Sequence, residues 1–145
     1  MFKHILAPVD GSRNAMVALE KAAALRALTD ADLTILTVFR HHSPLEASLS
    51  LAREDDPENV DDIMRAYARE VAESAKARAV ALGATGARAF VRSGPVARTI
   101  VAFGREHGVD LIVIGSRGLG SVEGFLLGSV SHKVSGIADC PVLLV

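Results

Sequence analysis

An α/β fold, a parallel β-sheet with helices on both faces, is what this amino-acid sequence predicts. Three observations carry that expectation. Short runs of apolar and β-branched residues alternate with longer helical patterns in the order β-α-β-α-β-α-β-α-β. Two of the short runs, Ile5-Leu6-Ala7-Pro8-Val9 and Leu111-Ile112-Val113-Ile114, are apolar nearly throughout, as strands buried on both faces are. Glycine, proline or a capping side chain stands at most of the boundaries, and strand-helix alternation implies right-handed crossovers.

The elements follow in order. After Ile5–Val9, Ser12 is placed to cap a helix rich in Ala and Leu that runs to about Thr29. Leu33 to Phe39 is the second strand, with β-branched Thr34, Ile35, Thr37 and Val38. From Arg40 to Asp56 the pattern weakens into a surface excursion containing Pro44 and the acidic Glu54-Asp55-Asp56. Asp56 then caps a long helix with Pro57 at its first position, ending at Gly83. Val60, Ile63, Met64, Tyr67 and Val71 keep helical spacing and mark its expected buried face, with Asp61 and Arg65 an i,i+4 pair on the wet side. Ala87 to Val91 is the third strand. Gly94-Pro95 opens a helix whose Val96, Ile100 and Phe103 share a face and which Gly108 ends. Leu111–Ile114, a glycine-rich stretch, a helix from about Ser129 to Ile137 and a last strand from Pro141 to Val145 complete the chain. No boundary, repeat or low-complexity linker divides residues 1–145, so a single domain is expected.

Composition removes several classes of function. The 145 residues are 50% hydrophobic with a net charge of -1, which suits a globular core and leaves no basic footprint for nucleic acid. One cysteine, Cys140, permits no intramolecular disulfide, and the five histidines lack zinc-ligand spacing. His41 and His42 are adjacent, so on extended chain they face opposite ways and read as surface residues. Cys140, Met16 and Met64 read as packing residues. No run approaches the roughly 18 apolar residues of a membrane helix, and the start of the chain lacks a secretory pattern. A cytoplasmic location is the expectation.

In parallel sheets of this kind ligands bind outside the carboxyl ends of the strands. The fourth strand runs there into Gly115-Ser116-Arg117-Gly118 and on to Gly128-Ser129-Val130-Ser131, with five glycines and four serines within 17 residues. Glycine permits positive φ and close approach to a ligand, and backbone N–H groups at a helix start attract phosphate, with the Ser129 and Ser131 hydroxyls as further donors. A Walker A loop is excluded, because Ser121 stands where the spacing from Gly115 and Gly120 demands lysine. A dinucleotide fingerprint fits poorly: Gly118, Gly120 and Gly124 are one residue too wide and follow the wrong strand.

A third pattern, Gly-x2-Gly-x9-Gly-Ser/Thr, is matched without a gap by Gly115, Gly118, Gly128 and Ser129. Here the sequence resembles the universal stress protein family in its ATP-binding subgroup. The resemblance extends to Ile5–Ser12, Gly94-Pro95, Asp110–Gly118 and Cys140–Val145. It implies a five-stranded sheet of order 3-2-1-4-5 with ATP, carried with Mg2+, between the first and fourth strand ends. It also implies roles: Gly115 and Gly118 near the ribose and α-phosphate, and Gly128, Ser129, Val130 and Ser131 around the β- and γ-phosphates. Asp10 would lie near the nucleoside or its metal, Val38 would meet adenine through its backbone, and Pro8, Val9 and Ile114 would form an apolar wall. The segment from Phe39 to Ser50 is similar to small family members associated with TRAP-type compatible-solute transporters, which implies a membrane transporter as regulated partner.

Some residues fit two roles. Asp10 suits a helix cap and a ligand contact equally. Arg117 suits a phosphate clamp or a solvated loop, and His132 and Lys133 suit phosphate or solvent. A nucleotide-dependent regulatory module is favoured over a slow ATPase or phosphotransferase, because no base and no Walker lysine accompany the glycines. The apolar last strand, Pro141 to Val145, falls at a sheet edge in the implied strand order, which predicts a homodimer through that edge.

Overall fold

The computed structural model describes residues 1–40, 57–118 and 128–145. The excursion at 41–56, the Asp56 cap, and Gly120, Ser121 and Gly124 of the glycine-rich stretch lie outside the described residues. β1 (His4–Pro8) and β2 (Asp32–Phe39) flank α1 (Arg13–Thr29) in the chain. α2 (Pro57–Ala81), β3 (Arg88–Ser93), α3 (Val96–Glu106), β4 (Leu111–Ile114), α4 (Ser129–Ile137) and β5 (Val142–Leu144) follow. The strands form one five-stranded sheet in the order β3-β2-β1-β4-β5, and every ladder is parallel.

Strand side chains alternate between two cores, which explains why the central strands are apolar nearly throughout. Ile5, Ala7, Ile35, Leu111 and Val113 face α1 and α2, while Leu6, Leu36, Ile112 and Ile114 face α3 and α4. Both ends of α1 are closed locally. Ser12 Oγ accepts the Ala15 N–H at 3.1 Å, and Asp30, at φ 57°, takes the left-handed conformation after α1. Gly83 and Gly108 hold positive φ after α2 and α3, as a chain leaving a helix requires.

The buried face of α2 differs from the one its large residues suggest. Ile63 and Tyr67 are 56% and 53% exposed, whereas Ala68, Ala72, Ala75 and Ala79 are buried beside Val60. Alanine lets α2 lie close to the sheet and to the alanine-rich inner face of α1, so small side chains occupy the contact. β3 also departs from expectation, running to Ser93 rather than Val91, because its length is set by pairing with β2, where Ser93 meets Phe39. β1 starts one residue early, at His4, and the Val9 N–H still bonds Leu36 O at 2.9 Å.

The amino end of the sheet is closed by side chains. His4 approaches His107 O at 2.9 Å through Nδ1 and Thr34 Oγ1 at 2.8 Å through Nε2, joining β1, β2 and the turn after α3. Asp110 accepts the backbone N–H groups of Lys3 at 2.8 Å and His4 at 3.0 Å. Burial alone would raise the Asp110 pKa, but these donors outweigh it and hold the carboxyl below its ordinary 3.8. Among the described residues no helix is long and apolar enough to cross a membrane.

Candidate functional site

In the order β3-β2-β1-β4-β5, the connections that leave β1 and β4 run in opposite directions, so a crevice opens between the carboxyl ends of β1 and β4. Pro8 and Val9 bring β1 to its edge. The chain then turns through Gly11, at φ 90°. Asp10 Oδ1 accepts the Ser12 N–H at 2.9 Å, while the Ser12 hydroxyl caps α1. Asp10 is therefore not the helix cap; it makes a side-chain turn one step earlier. A Cβ at Gly118 would collide with its other oxygen, so the carboxylate and the glycine-rich loop abut across the crevice.

The loop after β4 is held by backbone and amide groups. A Cβ at Gly115 would stand 2.7 Å from Asn14 Oδ1 and 3.1 Å from the Asn14 carbonyl carbon, so only glycine fits against the first turn of α1. Neither Gly115, Gly118 nor Gly128 adopts positive φ; close approach, rather than an unusual backbone, requires the first two. Ser116 O accepts the Gly128 N–H at 2.5 Å and the Ser131 hydroxyl at 3.0 Å, which pins the start of α4 to the end of β4.

Ser131 Oγ also lies 3.1 Å from Gly128 O and the residue is 3% exposed. Its single hydroxyl proton is directed at carbonyls, so the hydroxyl braces the turn instead of donating into the crevice, contrary to the sequence expectation. What α4 offers there is backbone. Gly128 supplies no capping side chain, and the N–H groups of the first turn, Ser129 to Ser131, have no intrahelical acceptor. With the helix dipole they form an anion-attracting end.

The residues to which the resemblance gives a role, together with Arg117, line one cleft, whereas His132 and Lys133 do not. Pro8, Val9, Val38 and Ile114 form apolar wall; Asp10 and Arg117 are its ionisable groups; Gly115, Gly118, Gly128, Ser129, Val130 and Ser131 form the glycine-serine side. The Arg117 side chain is exposed at the rim of the cleft. Ala15, Leu36, Val96 and Ile100 line the cleft as well and were not expected there. Val96 and Ile100, four apart on α3, carried a signal only as a shared apolar face. Asn14 was also missed, because its contacts lie 103 and 131 residues away. His132 and Lys133 are exposed. Among the described residues no group of three or more His, Cys, Asp or Glu could hold a metal. Cys140 is half-buried; burial and then the charges of Asp110 and Asp139 push its thiol pKa up.

An open parallel sheet with a cleft, and beside it a helix start without a capping side chain, at the reversal of strand order defines a doubly wound α/β protein. The chain belongs to the universal stress protein family, whose model matches residues 1–145. It is 36% identical over 148 residues to universal stress protein YxiE of Bacillus subtilis, covering 100% of this chain and 99% of that one. Universal stress protein UspA from Lactobacillus plantarum has the same fold, with TM-score 0.84 and 25% identity over 99% of this chain and 97% of that one. A universal stress protein solved in complex with cAMP matches at TM-score 0.72 and 26% identity, covering 99% of this chain and 96% of that one.

Proposed function

We propose that this protein is a single-domain ATP-binding regulatory module, holding the nucleotide in the cleft between β1 and β4. The observation that carries the reading is the free N-terminus of α4 facing Gly115 and Gly118 beside an apolar wall. The cAMP complex of a relative supports an adenine nucleotide. Val38 would meet adenine; Pro8, Val9 and Ile114 would wall the nucleoside. Gly115 and Gly118 would admit the ribose and α-phosphate, and the N–H groups at Ser129, Val130 and Ser131 would hold the outer phosphates. Mg2+ would enter on the phosphates, with Asp10 the carboxylate at hand, since magnesium keeps phosphate and water ligands readily.

The donor set fits binding better than rapid chemistry. Asp10 is the cleft's carboxylate among the described residues, and one of its oxygens already accepts the Ser12 N–H. Multiple-turnover phosphate release should therefore stay far below the enzyme median of about 10 per second. Release at that rate would favour the alternative, an ATPase or phosphotransferase. Titration calorimetry with Mg-ATP and with NAD tests the reading: heat is expected from ATP, and heat from NAD alone would overturn it.

A homodimer through β5 and a cytoplasmic site of action belong to the same proposal. So does the TRAP-type transporter as regulated partner, which rests on the likeness of the Phe39 to Ser50 segment; an adenylate-dependent pull-down with such a transporter tests it. The outward side chain of β5 is Leu143, 40% exposed, whereas Val142 and Leu144 pack against the α3 and α4 core. Leu143 is accordingly the residue to change when testing the edge.

A further inference from the structure

The cleft and the last strand meet at one side chain. Asn14, in the first turn of α1, accepts the Arg117 N–H at 2.7 Å through Oδ1. Its Nδ2 donates to Val145 O at 3.3 Å. The same Val145 oxygen accepts the Ser116 N–H at 2.8 Å, and the Val145 N–H returns to Ile114 O at 3.0 Å. Ser116 O in turn holds the Gly128 N–H and the Ser131 hydroxyl. A continuous path thus leads from α1, through the residue after β5, to the start of α4.

The chemistry of the amide suits this place. A carboxamide is acceptor and donor at once, so one side chain can grip an N–H and a carbonyl that diverge. Aspartate would lose the donor, and serine would lack the second group. Gly115 is the matching part, since any Cβ there would strike Asn14. Asn14 itself does not line the cleft, whereas Arg117 does, so Asn14 acts through what it holds.

We propose that Asn14 is a positioning residue that couples occupancy of the cleft to the order of the residue after β5. Resting on the nucleotide reading above, the coupling runs as follows. Phosphate drawn to the α4 start tightens the Gly128 and Ser116 bonds, and Ser116 passes that order to Val145, which Asn14 fixes against α1. Linkage makes the effect reciprocal: whatever orders the end of β5 raises affinity in the cleft.

The test measures ATP and adenosine binding by calorimetry in wild type and Asn14→Ala, with amide hydrogen exchange at Val145. Loss of both grips should weaken ATP about tenfold, since only the part of their worth that depends on the nucleotide is read, roughly that of one hydrogen bond. Adenosine, held at the Val38 end, should bind both proteins alike, which also shows that the variant folds. In wild type ATP should slow exchange at Val145, and in Asn14→Ala it should not. Equal ATP affinity in the two proteins would overturn the proposal. Parallel loss of ATP and adenosine would also overturn it, since Asn14 would then only support the fold. Should the variant not fold, wild-type exchange decides: no slowing at Val145 on ATP binding refutes the coupling. A wild type that takes up no ATP overturns the nucleotide reading and this proposal together, whereas the other failures leave that reading standing.

Discussion

The two ends of the sheet use polar groups in opposite ways. At the amino end, His4 bridges Thr34 and the His107 carbonyl, and Asp110 closes over two backbone N–H groups. The chain supplies partners for its own donors there. At the carboxyl end, α4 begins on a glycine with no capping side chain, and its first N–H groups face a cleft. One end converts hydrogen bonds into stability, and the other, on the nucleotide reading proposed above, keeps donors for a ligand. The contrast teaches where to look in this fold: not at buried polar groups, but at donors that no acceptor among the described residues answers.

Substitutions should separate the two ends cleanly. The largest effect is expected from Gly118→Val, whose side chain would run into the Asp10 carboxylate and fill the nucleotide path. ATP affinity should fall by more than about a hundredfold by calorimetry, a change of about 2.7 kcal/mol. The melting temperature should move little. At the opposite end, Asp110→Ala should cost about 1–2 kcal/mol in urea unfolding, since hydrogen bonds to a charged acceptor are lost at a partly exposed site. ATP affinity should not change. A variant at either end that altered both quantities alike would dissolve the distinction.

The pH dependence sharpens it further. The Asp110 carboxyl is depressed in the folded chain, so it contributes stability that is fully present above the unfolded value, near the ordinary 3.8. That contribution is lost as pH falls through the lower folded pKa. The stability gap between wild type and Asp110→Asn should therefore be constant from neutral pH down to the mild-acid range, then close. A gap that widened with acid would reverse the assignment. The smallest expected change is Leu143→Lys, which should leave ATP affinity intact and reduce the mass seen by light scattering from dimer to monomer. A wild type of one-chain mass at micromolar concentration would remove the edge association from the picture.

Much of this was legible in the order of residues, for identifiable reasons. Strands covered on both faces must be apolar throughout, so Ile5–Ala7 and Leu111–Ile114 stood out. A Cβ at Gly115 would meet Asn14 and one at Gly118 would meet Asp10, so both glycines have a steric reason and their spacing was readable. The inner face of α2 did not stand out, because a count of large apolar residues favours Ile63 and Tyr67 over the alanines that make the contact. Asn14 was silent because spacing carries no information about a partner 131 residues distant. The Ser131 hydroxyl was assigned to ligand from its place at a helix start, yet two carbonyls in reach claim its proton. Residue type revealed the capacity to donate; only the fold revealed the direction.

The pairing of β1 with both Leu33 and Leu111 has a consequence for how the molecule assembles. The β1-α1-β2 unit can collapse on local contacts, but β4 must be brought back over a long loop before it pairs, and such closures are slow. Both halves of the cleft, the turn at Asp10 and the loop at Gly115, meet only after that step. The cleft is thus expected among the last features to form and should be largely absent from the folding transition state. A ligand held there should slow unfolding while leaving the folding rate nearly unchanged, lengthening the life of the native state without hastening its arrival.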